Sequence, residues 1–180
     1  MNQQDSPSED EGDLDYSVDL LLNVIHSLVD EMSASITELD KSTFNPELLV
    51  HCVRRCKSPS AKNVALLTLA KLSAFSADYV FQNAISIFTF MGDHYLKLDS
   101  KRSFEVACDA IDIIVPHILK TAEAKGGANA ARDMGLSVIT TFVDASADMP
   151  IHRYKRFLSG KLSLTLSDSR LGFYFDLITF

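Results

Sequence analysis

Residues 45–72 read NPELLVHCVRRCKSPSAKNVALLTLAKL, and this stretch decides the fold class. Asn45 followed by Pro46 is typical of a helix N-cap and a first helical position. The Lys-Ser-Pro-Ser segment at residues 57–60 ends that helix and supplies the turn into a second one. The second helix is apolar on nearly all sides, because valine, leucine and alanine dominate residues 64–72. Such a helix needs neighbours on more than one side, so the stretch predicts stacked helices.

Helical spacing of apolar residues continues in both directions from this pair. Upstream, a long amphipathic helix is predicted from Ser17, with one stripe of apolar residues: Val18, Leu21, Leu22, Ile25, Leu28, Val29, Met32, Ile36 and Leu39. Downstream, a helix is predicted to end at Gly92, and the next one to be kinked at Pro116. A break at residues 125–127 precedes a sixth helix, and a seventh follows Pro150. Residues 162–166 alternate like a strand, but we interpret them as helical because a single strand would lack a partner.

The arrangement of these helices favours a stack over a compact bundle. Several helices have wide apolar faces, and they recur in pairs about every 40 residues, which is typical of a repeat array. The predicted fold is therefore an all-α solenoid of antiparallel helix pairs. The apolar C-terminus suggests that residues 16–180 form part of a longer solenoid. The expected shared core consists of Phe81, Ile85, Phe88, Phe104, Ile111, Val115, Val138 and Phe142.

The charge of the chain is unevenly distributed. Seven of its 24 acidic residues lie in residues 1–19, which contain no Lys or Arg, so residues 1–15 are predicted to form a disordered acidic tail. The remaining 17 acidic residues match the 17 Lys and Arg. This balance argues against a protein that reads duplex DNA. The start of the sequence does not resemble a secretory leader and no apolar stretch is long enough to cross a bilayer, so no membrane association is expected.

Sequence motifs for catalysis or cofactor binding are not found. Cys52 and Cys56 are spaced to share a metal, but a structural zinc site needs four ligands, and no second cysteine pair follows. We therefore expect core cysteines, as we do for Cys108. The glycine pair at 126–127 lacks the rest of a phosphate loop. The sequence predicts a protein that is not an enzyme and has no cofactor or metal.

Two clusters of basic residues are candidates for contact with phosphate groups or an acidic partner. The first contains Arg54, Arg55 and Lys57 at a helix end, where positive charge also favours the helix dipole. The second lies in the seventh helix. A helical wheel directs Tyr154, Phe157 and Leu158 towards the core. It leaves Arg153, Lys155 and Arg156 facing solvent, and these three are the predicted site for RNA or an acidic protein.

The chain resembles one family of very large repeat proteins from Asn45 to about Leu158. This is the family of HEAT repeat-containing protein 1 of animals and its fungal counterpart, the U-three small nucleolar RNA-associated protein ten. The resemblance rests on six segments: Leu48–Arg55, Ala65–Ala70, Ile85–Gly92, Ser103–Val106, Ile113–Pro116 and Met149–Arg153. The sequence departs from the family pattern at Leu98–Arg102 and after Lys161.

The resemblance implies a HEAT-like solenoid that acts as a non-enzymatic scaffold in the nucleolus, within the nucleus. The family takes part in ribosomal-RNA transcription and in pre-ribosomal RNA processing as part of the small-subunit processome. The implied partners are processome proteins, the U-three small nucleolar ribonucleoprotein and pre-ribosomal RNA. The alternative from another class is a generic cytosolic HEAT-repeat adaptor for protein–protein interaction.

Overall fold

A computed structural model describes residues 9–33, 45–96, 100–146, 149–150 and 153. The described elements are helices α1 (Glu9–Ser33), α2 (Pro46–Arg55), α3 (Pro59–Leu72), α4 (Ala77–Met91) and α5 (Lys101–Ser146), with a π-helical turn at Gly92–Leu96. None of the described residues forms a strand. The predicted all-α class is therefore confirmed. The cap predicted at Asn45 is present, since its side chain accepts a hydrogen bond from the first turn of α2, and Ser58 caps α3 in the same way.

Helix α5 consists of two arms separated at Gly127. This glycine has φ 73° and ψ −169°, a conformation that is available essentially only to glycine. The break predicted at residues 125–127 is thus present, with one arm formed by residues 101–126 and the other by residues 128–146. Pro116, where a kink is predicted, lies within the first arm, and its backbone dihedrals remain helical. The missing amide of Pro116 is tolerated within this long helix.

The first layer of the fold contains α1, α3 and residues 101–126. Asp19 accepts a hydrogen bond from Ser58 at 3.2 Å, and Asp30 forms an ion pair with Lys71 further along both helices. Residue numbers increase together across this interface, so α1 and α3 run parallel. Helix α3 in turn packs against α5, where the N-terminal turns of the two helices lie together.

The second layer contains α2, α4 and residues 128–146. Arg54 of α2 donates a hydrogen bond to Ser86 of α4, and α4 meets the last arm where Phe88 packs against Phe142 with ring centroids 5.3 Å apart. The start of α4 instead contacts the C-terminal end of the arm in the other layer, which is formed by residues 101–126, where Lys125 Nζ lies 2.8 Å from Asp78 Oδ1. This two-layer pattern confirms the α-solenoid.

The core between the layers contains most of the expected residues. Those buried as predicted are Phe88, Phe104, Ile111, Val115, Val138 and Phe142. Phe81 is only partly buried, beneath the ammonium of Lys125. The prediction for Ile85 is wrong, since its side chain is 39% exposed. The buried stripe of α4 runs instead through Val80, Ala84, Ile87, Phe88 and Met91, which places Ile85 beyond the edge of that stripe.

Two predicted helix boundaries are also corrected. Helix α1 begins at Glu9, so Glu9–Asp15 is helical and not part of a disordered tail. Acidic residues are favourable in the first turns of a helix, because they interact with its dipole. Gly92 does not cap α4, since its dihedrals are helical and the chain continues into the π-helical turn. A Cβ on Gly92 would lie 2.6 Å from that of Ala145, so glycine permits this close crossing.

Several predictions fall on residues outside those described. They include the disorder of residues 1–8, the ends of the first stripe at Ile36 and Leu39, and the assignment of residues 162–166. Among the described helices, none combines the length and hydropathy required to cross a bilayer.

Candidate functional site

The predicted contact residue Arg153 lies in the interior. Its side chain is only 7% exposed, and its guanidinium carbon is 5.4 Å from the centroid of the Phe104 ring. Its backbone amide donates a hydrogen bond to the carbonyl of Pro150 at 2.9 Å. The expectation that Arg153 faces solvent is therefore wrong. Lys155 and Arg156, the other two residues of this predicted site, lie outside the described residues.

The chemistry of arginine explains this placement. A planar guanidinium is attracted to the face of an aromatic ring, and its aliphatic stem can be buried along apolar surface. Phe104 stands in the first turn of α5, so the contact ties the chain beyond Pro150 back to the start of this helix. A helical wheel separates charged from apolar residues, but it does not show that a ring from another helix is available to an arginine.

The other basic cluster is exposed at the C-terminus of α2. Arg54 and Arg55 are both exposed and occupy the last turn of the helix, where positive charge is favourable. Arg54 also donates to Ser86, which fixes its direction across the second layer. Lys57 is exposed beyond the end of the helix. This cluster is therefore an accessible basic surface on the described part of the chain.

A polar cluster between α1 and α3 is not predicted from the sequence. His26 Nδ1 lies 2.9 Å from Thr68 Oγ1, and the Thr68 hydroxyl donates to the carbonyl of Val64 at 2.7 Å. Nδ1 therefore carries the proton in this network. Nε2 then accepts from Lys71 Nζ at 3.3 Å, and Lys71 also pairs with Asp30. The cluster joins the two helices through side chains that need a neutral imidazole.

The electrostatic environment of His26 agrees with this assignment. Partial burial lowers its pKa, the Lys71 ammonium lowers it further, and Asp30 opposes the effect. The Lys71 hydrogen bond also lowers the pKa of the Asp30 carboxyl. The sequence signal is weak, because His26 and Lys71 are 45 residues apart and neither lies in a recognisable motif. Only the parallel packing of α1 and α3 brings them together.

The three cysteines lie at or near packed surfaces. Cys108 is buried, and Cys52 and Cys56 are partly buried along α2. Desolvation raises the pKa of the Cys56 thiol to about 11, with the neighbouring Cys52 as a further cause. A thiol with such a pKa is a poor nucleophile and a poor metal ligand at neutral pH. Across the described ranges, no three His, Cys, Asp or Glu side chains are grouped as metal ligands.

Comparison with known proteins identifies relatives over most of this chain. HEAT repeat-containing protein 1 of Danio rerio is 35% identical over 167 residues, which are 89% of this chain and 8% of that protein. The Homo sapiens protein of the same name is 28% identical over 152 residues, covering 81% of this chain and 7% of its own length. U3 small nucleolar RNA-associated protein 10 of Aspergillus niger is 31% identical over 153 residues, which are 83% of this chain and 8% of that protein.

These matches confirm the predicted resemblance. Over 81–89% of its length, the chain is similar to proteins named HEAT repeat-containing protein 1 and U3 small nucleolar RNA-associated protein 10. No model of a protein family matches the chain. The chain spans less than a tenth of the length of these three relatives. Two of these relatives are named for the HEAT repeat, and this agrees with the two-layer helical stack described above.

Proposed function

We propose that this chain is a non-enzymatic helical-repeat scaffold in ribosome biogenesis. The finer proposal is that it acts in the nucleolus within the small-subunit processome, in ribosomal-RNA transcription and pre-ribosomal RNA processing. Its proposed partners are processome proteins and the U3 small nucleolar ribonucleoprotein. The observation that carries the proposal is the 31% identity, over 83% of this chain, to a protein named for its association with U3 small nucleolar RNA.

The architecture supports a scaffold because it offers long helical surfaces. The two layers expose opposite sides of the stack, and the helices around the interior helix α3 contribute outward faces that a partner can contact. Several polar side chains on the described part of the chain join neighbouring helices. His26 and Lys71 link α1 to α3, and Arg54 links α2 to α4. Surfaces of this kind bind and position partners.

Affinity purification tests this function. The tagged 180-residue chain is expressed in cells, and recovered RNA and proteins are identified, with a tagged helical-repeat protein of unrelated function as the control. The proposal predicts enrichment of U3 small nucleolar RNA and nucleolar localisation of the tagged chain. Recovery of no U3 RNA, together with a tagged chain excluded from the nucleolus, would contradict the proposal and favour a cytosolic adaptor.

The proposed contact with pre-ribosomal RNA or an acidic partner now rests on Lys155 and Arg156. Arg153 is left out of it, because it is buried against Phe104. Reversing both residues, as Lys155→Glu with Arg156→Glu, should weaken RNA recovery while preserving the helical signal. A contact of this kind is electrostatic, so raising salt from about 50 to 200 mM should weaken it strongly.

The matched control for this reversal is Arg102→Glu with Lys120→Glu, two exposed basic residues of α5. Both double variants change the net charge equally. If they reduce RNA recovery to the same extent, the effect reflects overall charge and the Lys155–Arg156 site is wrong.

A further inference from the structure

The turn between α2 and α3 contains a serine whose hydroxyl also contacts α1. Ser58 is the N-cap of α3, and its Oγ accepts a hydrogen bond from the amide of Ala61 at 3.2 Å. The same hydroxyl donates a hydrogen bond to Asp19 Oδ2 of α1, also at 3.2 Å. A single side chain therefore caps one helix and attaches a second helix to it.

The residues around Ser58 are those that a proline-directed protein kinase recognises. Pro59 follows the serine directly, and the backbone of Ser58 is extended, with φ −65° and ψ 121°. A proline restricts the residue before it to such conformations. The basic residues Arg54, Arg55 and Lys57 precede the serine, and all three side chains are exposed. Kinases use charge patterns of this kind to distinguish their substrates.

Access to the Ser58 hydroxyl depends on α1. Ser58 is partly buried, whereas Lys57, Pro59 and Ser60 on either side of it are exposed. The chain around the serine is therefore at the surface, and the hydrogen bond to Asp19 is the contact that must open. Among the described helices, α1 contacts mainly α3. Local opening of a helix with few neighbours makes the hydroxyl accessible.

A phosphate on Ser58 would reverse the interaction between this turn and α1. A phosphoserine carries a charge of about −1.5 to −2 at pH 7, and its ester oxygen has no proton to donate to Asp19. Among the described residues, Asp19 Oδ1 is buried without a hydrogen-bond partner. Burial is the main cause that raises the pKa of the Cys56 thiol, and the charges of Asp15 and Asp19 add to it, so both carboxylates lie near this turn. Phosphorylation therefore replaces an attraction with a repulsion.

We propose that Ser58 is a phosphorylation site for a proline-directed protein kinase, and that its phosphate releases the N-terminal half of α1 from α3. Ser58 Oγ forms a bond to the γ-phosphorus of ATP as the bond to ADP breaks, and the hydroxyl proton passes to the catalytic base of the kinase. The phosphate oxygens accept the hydrogen bond from the Ala61 amide, so α3 keeps its cap. The ion pair of Asp30 with Lys71 lies further along both helices and retains the C-terminal half of α1.

The first experiment identifies the acceptor. The full 180-residue chain is incubated with a purified proline-directed kinase and ATP, and mass spectrometry locates the phosphate. Every chain carries Ser6→Ala, because Ser6 is the other serine followed by proline in this sequence. We expect at least tenfold less phosphate in Ser58→Ala, whereas the matched control Ser60→Ala should be unaffected. No phosphate on the Ser6→Ala chain, or equal incorporation in Ser58→Ala, would overturn the proposal.

Two further variants test recognition without removing the cap of α3. Pro59→Ala keeps the hydroxyl but removes the proline, so incorporation should fall at least tenfold. Ser58→Thr keeps both the acceptor and a capping oxygen, so it should restore incorporation. Circular dichroism shows that each variant retains its helices. If Pro59→Ala is modified as well as the parent chain, the kinase does not read this turn and the assignment of the site to this class of kinase is wrong.

Hydrogen exchange measures the effect on α1. In the phosphorylated chain, amide hydrogens of the N-terminal half of α1 should exchange at least tenfold faster than in the unmodified chain, while those of α4 should be unchanged. Asp19→Asn removes the carboxylate, so phosphorylation should accelerate exchange less in this variant. Ser58→Ala also lacks the donor but adds no charge. Equal exchange with and without phosphate, or equal acceleration in Ser58→Ala, would exclude release of α1 by repulsion.

Discussion

Helices α1 and α3 are both rich in leucine, accompanied by valine in α1 and by alanine in α3, yet their side chains have different environments. Helix α3 contacts α1, α2 and α5, and Leu66, Leu69 and Leu72 are inaccessible to solvent. Among the described helices, α1 contacts mainly α3 and so lies at the edge of the same layer, and Leu21 is 61% exposed. Position in the stack, and not composition, decides which leucines are buried. The interior and the edge should therefore respond differently to the same substitution.

The largest effect is expected deep in the interior of the stack. Phe88 is inaccessible to solvent and packs on Phe142, so Phe88→Ala leaves a cavity between the second-layer helices. It should lower the free energy of unfolding by about 3–5 kcal/mol. Chemical denaturation followed by circular dichroism measures this change. An unaltered transition midpoint would show that the second layer is not packed as described.

A matched pair of leucine substitutions tests the comparison directly. Leu69→Ala in α3 should lower the free energy of unfolding by about 2–5 kcal/mol, because the side chain is fully buried. Leu21→Ala in α1 should change it by less than about 0.5 kcal/mol, since the side chain is exposed. The same denaturation experiment compares the two variants. Equal losses would mean that Leu21 is covered in the free chain.

A substitution at Gly127, between the two arms of α5, should have a smaller effect on the free energy of unfolding. Gly127→Ala places a side chain at φ 73° and ψ −169°, which should cost about 1–3 kcal/mol. No neighbouring atom blocks a Cβ there, so the penalty comes from the backbone alone. Ala124→Gly is the control, at an exposed helical position of the first arm where the cost should be below about 1 kcal/mol. If Gly127→Ala were neutral, the two arms would form one regular helix in solution.

The smallest expected effect is a pH dependence of the stability that the contact between α1 and α3 contributes. Lys71 and Asp30 are the charged groups beside His26 in this contact, and the pKa of His26 in the folded chain is below the ordinary 6.5. The unfolded chain therefore binds a proton more readily in the interval between the folded pKa and about 6.5. The contribution of His26 to stability should be complete above this interval and should be lost as the pH decreases through it.

The variant His26→Gln isolates this contribution in denaturation experiments at several pH values. It should reduce the loss of stability between neutral and mildly acidic pH. Burial also lowers the pKa of His117, so part of the dependence should remain. His51→Gln, at an exposed position on α2, is the control. An unchanged pH profile for His26→Gln would show that the imidazole is not held between Thr68 and Lys71.

Local sequence signals are sufficient for most of the helices. The Asn45 cap, the turn before Pro59 and the break at Gly127 depend on neighbouring residues, so each can be predicted from a short stretch. The burial of Phe88 also follows from helical spacing. The exposure of Ile85 does not follow from helical spacing. When an apolar stripe is wide, the spacing does not determine which of its residues face the core.

The side-chain contacts depend on packing between layers and cannot be predicted in the same way. Arg153 has the charge of a surface residue, and its burial follows from the distant ring of Phe104. Helical spacing alone places Leu21 and Leu28 in the same apolar stripe as the buried Leu22 and Val29, although Leu21 and Leu28 are both more than half exposed. Periodicity identifies them as apolar-face residues, but it does not show whether a neighbouring helix covers them. That depends on their position at the edge of the stack.

The packing of helices that are close together in the sequence also has a consequence for folding. The hydrogen bonds that link neighbouring helices of one layer join residues 32 to 45 positions apart, such as Arg54 with Ser86 and His26 with Lys71. No such contact requires distant ends of the chain to meet, so loop closure is inexpensive and folding should be rapid. Opening can also proceed helix by helix from the edge. Amide hydrogens of α1 should exchange with solvent before those of α3, while Phe88 and Phe142 remain packed.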